Sequence, residues 1–281
     1  MTLNGSNGAL TEEAHLATPN LQAAVSFMVQ YVHEKYATGG EVGWVHLYAS
    51  YRFEYERQDA HSSVAWRDQQ HNAVRRALLH NDEQSFDQIA TRAVRSLGIV
   101  RWAPPPQLFA YCRRFVNDQT TLPKFRHSVG SNKAVALRFH DQFIFYDSRT
   151  AYALNQLVNA YYLESGVDNP AHVLRVEQME YPTPANRASR KTRARRTTFT
   201  HGESARFDGN LGQQGWLGWF FSSYVCREIC RRLNGNGSVY GIPDAVWSAH
   251  EPRWYCYHLD MALWTLGGLL SRRSDARDRR E

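Results

Sequence analysis

Leu21, Val25, Met28, Val29 and Val32 recur at intervals of three and four residues. That spacing predicts a helix over 19–36 with one apolar face. Gly39 and Gly40 then end it. The stretch WVHLYASYRFEYER, residues 44–57, carries two periods at once. Its odd positions from Val45 to Tyr55 are all apolar or aromatic, as in a strand. Trp44, Leu47, Tyr48, Tyr51 and Tyr55 also line one helical face, and a helix is the expectation. Further helices are expected at 63–80 and at 83–97, the second closed by Gly98. Another is expected from Pro104-Pro105-Pro106 to about Val116, because proline is accommodated in a first turn. Ala151, Leu154, Val158 and Tyr161 predict the buried face of a helix capped by Asp147. No internal repeat is visible. Helices joined by short loops predict an all-α domain over 19–270, between a polar lead at 1–18 and a tail at 271–281.

Composition narrows the class. An apolar fraction of 43% with 13% aromatics supports a hydrophobic core, so a wholly disordered chain is excluded. The longest mostly apolar stretch, Trp216 to Cys226, is interrupted by Gly218, Ser222 and Ser223 and is too short to span a bilayer. The N-terminal residues lack a basic start and an apolar signal core, so a cytoplasmic protein is expected. Cys112, Cys226, Cys230 and Cys256 form no CxxC pair, which points to free thiols and away from a zinc ribbon or iron–sulfur cluster. The histidines are scattered without an HExxH or His-x-His pattern, so neither metal nor cofactor is expected. GNGS at 235–238 and GNLGQQG at 209–215 lack a surrounding βαβ pattern and read as turns.

Charge points to a partner. The formal net charge is +6, and its distribution matters more than its sum. Arg187, Arg190, Lys191, Arg193, Arg195 and Arg196 fall within eleven residues without one acid. Several glycines follow, so the region from about 185 to 215 reads as a mobile basic loop. A solvated loop would explain it, but so dense a run of one sign repels itself unless a polyanion lies against it. Nucleic acid is the expected partner.

The chemistry concentrates in SVGSNKAVALRFHDQFIFYDSRTAYAL, Ser128 to Leu154. Ser128 to Ser131 reads as a tight turn, with Gly130 or Ser131 capping a short helix. That places Lys133 in the first turn, where the positive end of the helix dipole faces an ammonium. A neutral amine is the form that attacks carbon. Asp147 by itself is an ordinary helix cap. Lysine and aspartate together, across a glycine turn, a short helix and the apolar run Phe143–Tyr146, make a possible nucleophile and carboxylate.

This arrangement resembles the helix-hairpin-helix DNA glycosylases, and most of all the bacterial 8-oxoguanine DNA glycosylase-like branch. Val129-Gly130 matches the V-G of the family hairpin, Lys133-Ala134 stands where its lysine begins, and Asp147 matches its aspartate. FYDSRTAYAL and LDMALWTLG, Leu259 to Gly267, are similar to further segments of such proteins. Ser128 stands where the family has its first hairpin glycine, and Ser131 and Asn132 separate Gly130 from the lysine where one residue is usual. The resemblance implies two helical lobes with a cleft between them, acting on double-stranded DNA that carries a damaged or modified base. It implies that Lys133 attacks the sugar C1′ and that Asp147 assists base loss. The hairpin residues Val129, Gly130, Ser131 and Asn132 would hold a backbone phosphate.

Base excision also needs an aromatic pocket for an extruded base. Trp102 and Tyr146 flank the motif and are the pocket expectations. Arg149 would contact phosphate or Asp147. Arg190, Lys191, Arg193, Arg195 and Arg196 would track the DNA backbone. The expected protein is thus a monomeric DNA glycosylase, with lyase activity if the lysine forms a Schiff base, in base excision repair or phage defence. A non-catalytic nucleic-acid-binding protein of the same fold is the alternative, with Lys133 on phosphate. A protein-interaction module with an incidental basic loop is a third.

Overall fold

A computed structural model describes residues 21–41, 43–53, 58–114, 123–125, 127–165, 213–243 and 252–277. The basic run at 187–197 and the lead at 1–18 lie outside these residues. The described chain is mostly helical, as expected, with ten helices and one minimal hairpin. In order they are α1 Leu21–Tyr36, α2 Gly43–Ala49, β1 Arg52–Phe53, β2 Gln58–Asp59, α3 Ala60–Leu79, α4 Glu83–Ser96, α5 Leu108–Arg114, α6 Val129–Arg138, α7 Ser148–Ser165, α8 Gln213–Gly235, α9 Gly237–Tyr240 and α10 Cys256–Arg277. The last helix runs into the tail sequence and ends at Arg277.

Local chemistry sets the helix ends. Asp59 caps α3 by accepting from the Ser62 amide at 2.8 Å, and Asp82 caps α4 through the Ser85 amide at 2.9 Å. Gly98, at φ 86°, closes α4 in the left-handed region that glycine tolerates. Two expectations change. The 44–57 stretch splits after Ala49: Trp44, Leu47 and Tyr48 bury a helical face. Tyr51 and Phe53 are then buried on either side of exposed Arg52, and β1 pairs antiparallel with β2. Both periods seen in the sequence are used, one after the other. Helix α5 starts at Leu108 and not at the prolines, because a residue preceding proline is steered out of the α region.

Helix α10 is the central strut, packed mainly on α7 and α2 and also against α8 and α3. Its inner residues Leu259, Met261, Ala262, Leu263 and Leu266 are buried. Large aromatics fill the core, and four of the indoles are hydrogen-bonded there. The indole Nε1 atoms of Trp44, Trp216, Trp219 and Trp254 donate to the carbonyls of Val29, Phe125, Ile144 and Gly241 at 2.9–3.0 Å. The four cysteines are buried free thiols. Among the described residues, no helix is long and apolar enough to cross a membrane and no cluster of side chains could hold a metal ion.

Two adjacent glycines on α10 differ sharply. A Cβ on Gly267 would lie 2.2 Å from the backbone carbonyl oxygen of Arg149, whereas one on Gly268 meets nothing within 4 Å. Gly267→Ala should therefore destabilise the protein by about 2 kcal/mol, the scale of overpacking against a backbone that cannot yield. Gly268→Ala should stabilise it by about 0.5–1 kcal/mol through helix propensity. Urea unfolding of both variants checks the contrast; equal effects would mean that α10 does not touch α7 at Gly267.

Candidate functional site

The hairpin segment folds somewhat differently from its expected turn. Ser128 is extended, at φ −149° and ψ 157°, and its Oγ accepts from the Ser131 amide at 3.0 Å. It is the N-cap, so Val129, Gly130 and Ser131 form the first turn of α6 and Lys133 lies in the second. The first-turn dipole argument for Lys133 therefore does not apply, because that effect fades beyond the terminal turn. Gly130 is needed for space and not for a positive φ. A Cβ there would stand 2.2 Å from the Trp102 ring, so the indole lies directly on the helix backbone.

Helix α7 begins as expected. The Asp147 Oδ1 accepts from the amides of Arg149 at 2.9 Å and Thr150 at 3.2 Å, and its carbonyl accepts from Ala151. Ala151, Leu154, Val158 and Tyr161 are all buried. With Oδ1 held by the cap, Oδ2 faces Lys133, and the ammonium Nζ stands 3.7 Å away. The Lys133 side chain is 6% exposed and that of Asp147 20%. The fold thus brings together the two residues that the sequence paired, in a nearly closed setting.

Of the other expected residues, Asn132, Tyr146, Trp102 and Arg149 lie at or against the starts of α6 and α7. Asn132 is wholly buried, and its Nδ2 donates to the Tyr146 carbonyl at 2.9 Å, tying the start of α6 to the residue before Asp147. Its own amide donates to the Ser128 carbonyl, and the Ser131 amide is taken by the cap. A phosphate at this hairpin would have to meet the amides of Val129 and Gly130. Tyr146 is fully buried and Trp102 is buried against Gly130. The Trp102 Nε1 has no hydrogen-bond partner among the described residues. The guanidinium of Arg149 lies 4.1 Å from the Trp264 ring centroid, so its face is turned to α10. Arg190, Lys191, Arg193, Arg195 and Arg196 lie outside the described residues.

Sequence reasoning missed a second buried pair beside the first. Arg67 of α3 donates to the Asp260 Oδ2 of α10 at 2.8 Å, and both side chains are nearly inaccessible. The other carboxylate oxygen, Oδ1, accepts from the Thr150 hydroxyl at 3.3 Å. The Arg67 guanidinium sits 4.0 Å from the Phe145 ring centroid, and the Lys133 Nζ is 5.6 Å from the same centroid. Burial pushes the Asp260 carboxyl above its ordinary range; Arg67 opposes that push, Asp147 adds to it and Lys133 opposes it. Burial also raises the Tyr51 phenol to about 12, against the pull of Arg67, so Tyr51 adds no charge here. One faint signal was available: Asp260 is the only charged residue in the apolar run LDMALW.

Comparisons with protein-family models, with curated proteins and with solved structures find no match for this chain.

A histidine behind the hairpin gives the site an acid limit. His127 is buried with its ring edge-on to Trp216, at 4.9 Å between centroids, and its Nε2 lies 3.5 Å from the Asn132 Nδ2. Burial drives its imidazole down to about 4. In the unfolded chain it protonates below about 6.5. Between those values the unfolded state binds the extra proton, so stability falls as pH falls through the window and is retained above it. Wild type should lose about 3 kcal/mol more than His127→Gln between pH 7 and pH 4. Urea titrations at the two pH values measure the difference; equal losses would remove His127 as the cause.

Proposed function

We propose that this protein is a DNA N-glycosylase that uses Lys133 as nucleophile and Asp147 as the assisting carboxylate. The observation that carries this reading is the 3.7 Å approach of the two groups with Lys133 almost fully buried. A lysine that served only to hold the DNA backbone would need its ammonium at the surface. Lys133 instead suits a substrate atom brought inward, which is what extrusion of a nucleotide does.

In this reading Lys133 reacts as a neutral amine, its proton having passed to solvent, and Asp147 stays ionised beside it. The amine attacks the sugar C1′, the C1′–N bond breaks, and the bonding electrons leave with the base. Positive charge grows on the sugar during this step, and the carboxylate beside it offsets that charge. The sugar ring then opens to a lysine–sugar Schiff base, from which strand cleavage can follow. Two helical lobes with the site between them, a monomeric state and a cytoplasmic setting belong to the same proposal. Oxidised guanine and a hypermodified phage base are the two substrate classes to test. The basic run at 187–197 would supply backbone affinity, since phosphate contacts position a duplex without reading it.

Borohydride trapping on a panel of modified duplexes tests the chemistry. Lys133→Gln should abolish the covalent adduct on any duplex that wild type captures. Asp147→Asn can still cap α7. It should fold like wild type and slow base release by about a hundredfold or more. Wild-type excision by Lys133→Gln would leave the ion pair as a structural tie.

The partner is tested separately. Replacing Arg193, Arg195 and Arg196 with alanine should weaken all duplexes by similar factors. It should also flatten the slope of log affinity against log salt by about 0.9 for each phosphate that the variant no longer neutralises. A fluorescent duplex titrated over a range of salt gives both slopes; identical slopes would remove the loop from the interface.

A further inference from the structure

We propose that the buried Arg67–Asp260 pair is a positioning unit that holds Asp147 and Lys133 in register for bond cleavage. The inference rests on the glycosylase reading and adds residues to it. Its starting point is an energetic oddity. Arg67 and Asp260 come from helices distant in the chain, meet at 2.8 Å and are almost wholly removed from water. Desolvating two charges commonly offsets what their attraction returns, and apolar replacements of such pairs are often neutral or stabilising. Cohesion of α3 with α10 is therefore a weak reason for these residues to be charged.

Their contacts supply a better one, because each member touches a group that touches the site. Asp260 accepts from the Thr150 hydroxyl, and the Thr150 amide donates to the Asp147 Oδ1. One carboxylate thus fixes the residue that orients the other. Arg67 lies over Phe145, whose ring also faces the Lys133 ammonium. Phe145 stands two residues before Asp147, so both routes converge on the same strap of chain. Lys133, Arg67, Asp147 and Asp260 form a box of two cations and two anions. Once Lys133 has given up a proton from the box, one anion is in excess, opposite in sign to the charge that develops on the sugar. The titration of Asp260 responds to Arg67, Asp147 and Lys133 together, which is the mark of one shared field.

The test uses the full chain and separates positioning from folding. The variants are Thr150→Val, Thr150→Ser and the double replacement Arg67→Met with Asp260→Leu. On a duplex that wild type traps, three quantities are measured: the urea midpoint, the duplex Kd and the single-turnover rate. The double variant should keep its midpoint and bind within about twofold of wild type, yet react at least tenfold more slowly. Thr150→Ser, which retains the hydroxyl, should react faster than Thr150→Val. A folded double variant with the wild-type rate would overturn the proposal. So would equal rates for the two Thr150 variants, and this second comparison decides the matter if the double variant does not fold.

A further readout needs no DNA. Formaldehyde with cyanoborohydride methylates lysines, and peptide masses report Lys133 against the exposed Lys35 and Lys124. Freed from a fixed Asp147, Lys133 should label at least threefold faster in the double variant or in Thr150→Val, with the controls unchanged. Unchanged Lys133 labelling in both would overturn the positioning role. Failure of every duplex to react, with the labelling change present, would sink the glycosylase reading and leave the pair as the group that holds Lys133 and Asp147.

Discussion

The absence of a side chain at Gly267 lets α10 ride against the first turn of α7, with the Arg149 carbonyl where a Cβ would be. Much of the site follows from that approach. Asp260, Trp264 and Gly267 recur at intervals of four and three, so they share one face of α10. Seating Gly267 on Arg149 brings Trp264 under the Arg149 guanidinium and Asp260 to the Thr150 hydroxyl. Those two residues of α7 are the ones whose amides hold the Asp147 Oδ1. A packing constraint on one glycine is thereby converted into the orientation of a carboxylate.

The charge arrangement depends on the same geometry. Four ionisable groups are gathered in a region lined by Phe145, Tyr51 and Trp264, where water reaches three of them little and Asp147 only in part. They are tolerable because positive and negative groups are equal in number and because their oxygens are occupied. The Asp147 Oδ1 serves backbone amides, and both oxygens of Asp260 are engaged. Only the Asp147 Oδ2 is directed at a group, Lys133, that a substrate could claim. Removing one charge alone would leave its partner buried and unpaired, a far larger disturbance than removing both.

Local signals in the sequence were sufficient for what depends on local structure. The periodicity of α1, the helices α3 and α4, the Asp147 cap and the buried face of α7 were legible because each is written within a few turns of chain. The spacing of Lys133 and Asp147 was legible for the same reason. The cap at Ser128 was not, since Gly130 and Ser131 carry the same preferences and only the hydroxyl geometry chooses among them. Arg67 and Asp260 were hidden for a different reason. Nothing near either residue names the other, and their meeting depends on how α3, α7 and α10 pack. The split of 44–57 fell between these cases: both periods were visible, but the residue at which one yields to the other is set by the pairing of β1 with β2.

Access decides what such a site could act on. Tyr146 is wholly buried, Trp102 fills the notch above Gly130, and Lys133 has little contact with solvent. A small soluble substrate would find few open atoms here. A nucleotide drawn out of a duplex is different, because binding along the backbone can offset the work of opening the site and of unstacking the base. Of the two pocket expectations, Trp102 is the one suited to move. Its ring rests on a residue without a side chain and its Nε1 is committed to no partner among the described residues, whereas Tyr146 is wholly buried. An opening at Trp102 would expose the first turn of α6, where the amides of Val129 and Gly130 begin the helix, one turn ahead of Lys133. In the proposed reading, the phosphate-holding amides and the lysine would then lie in order along a single short helix.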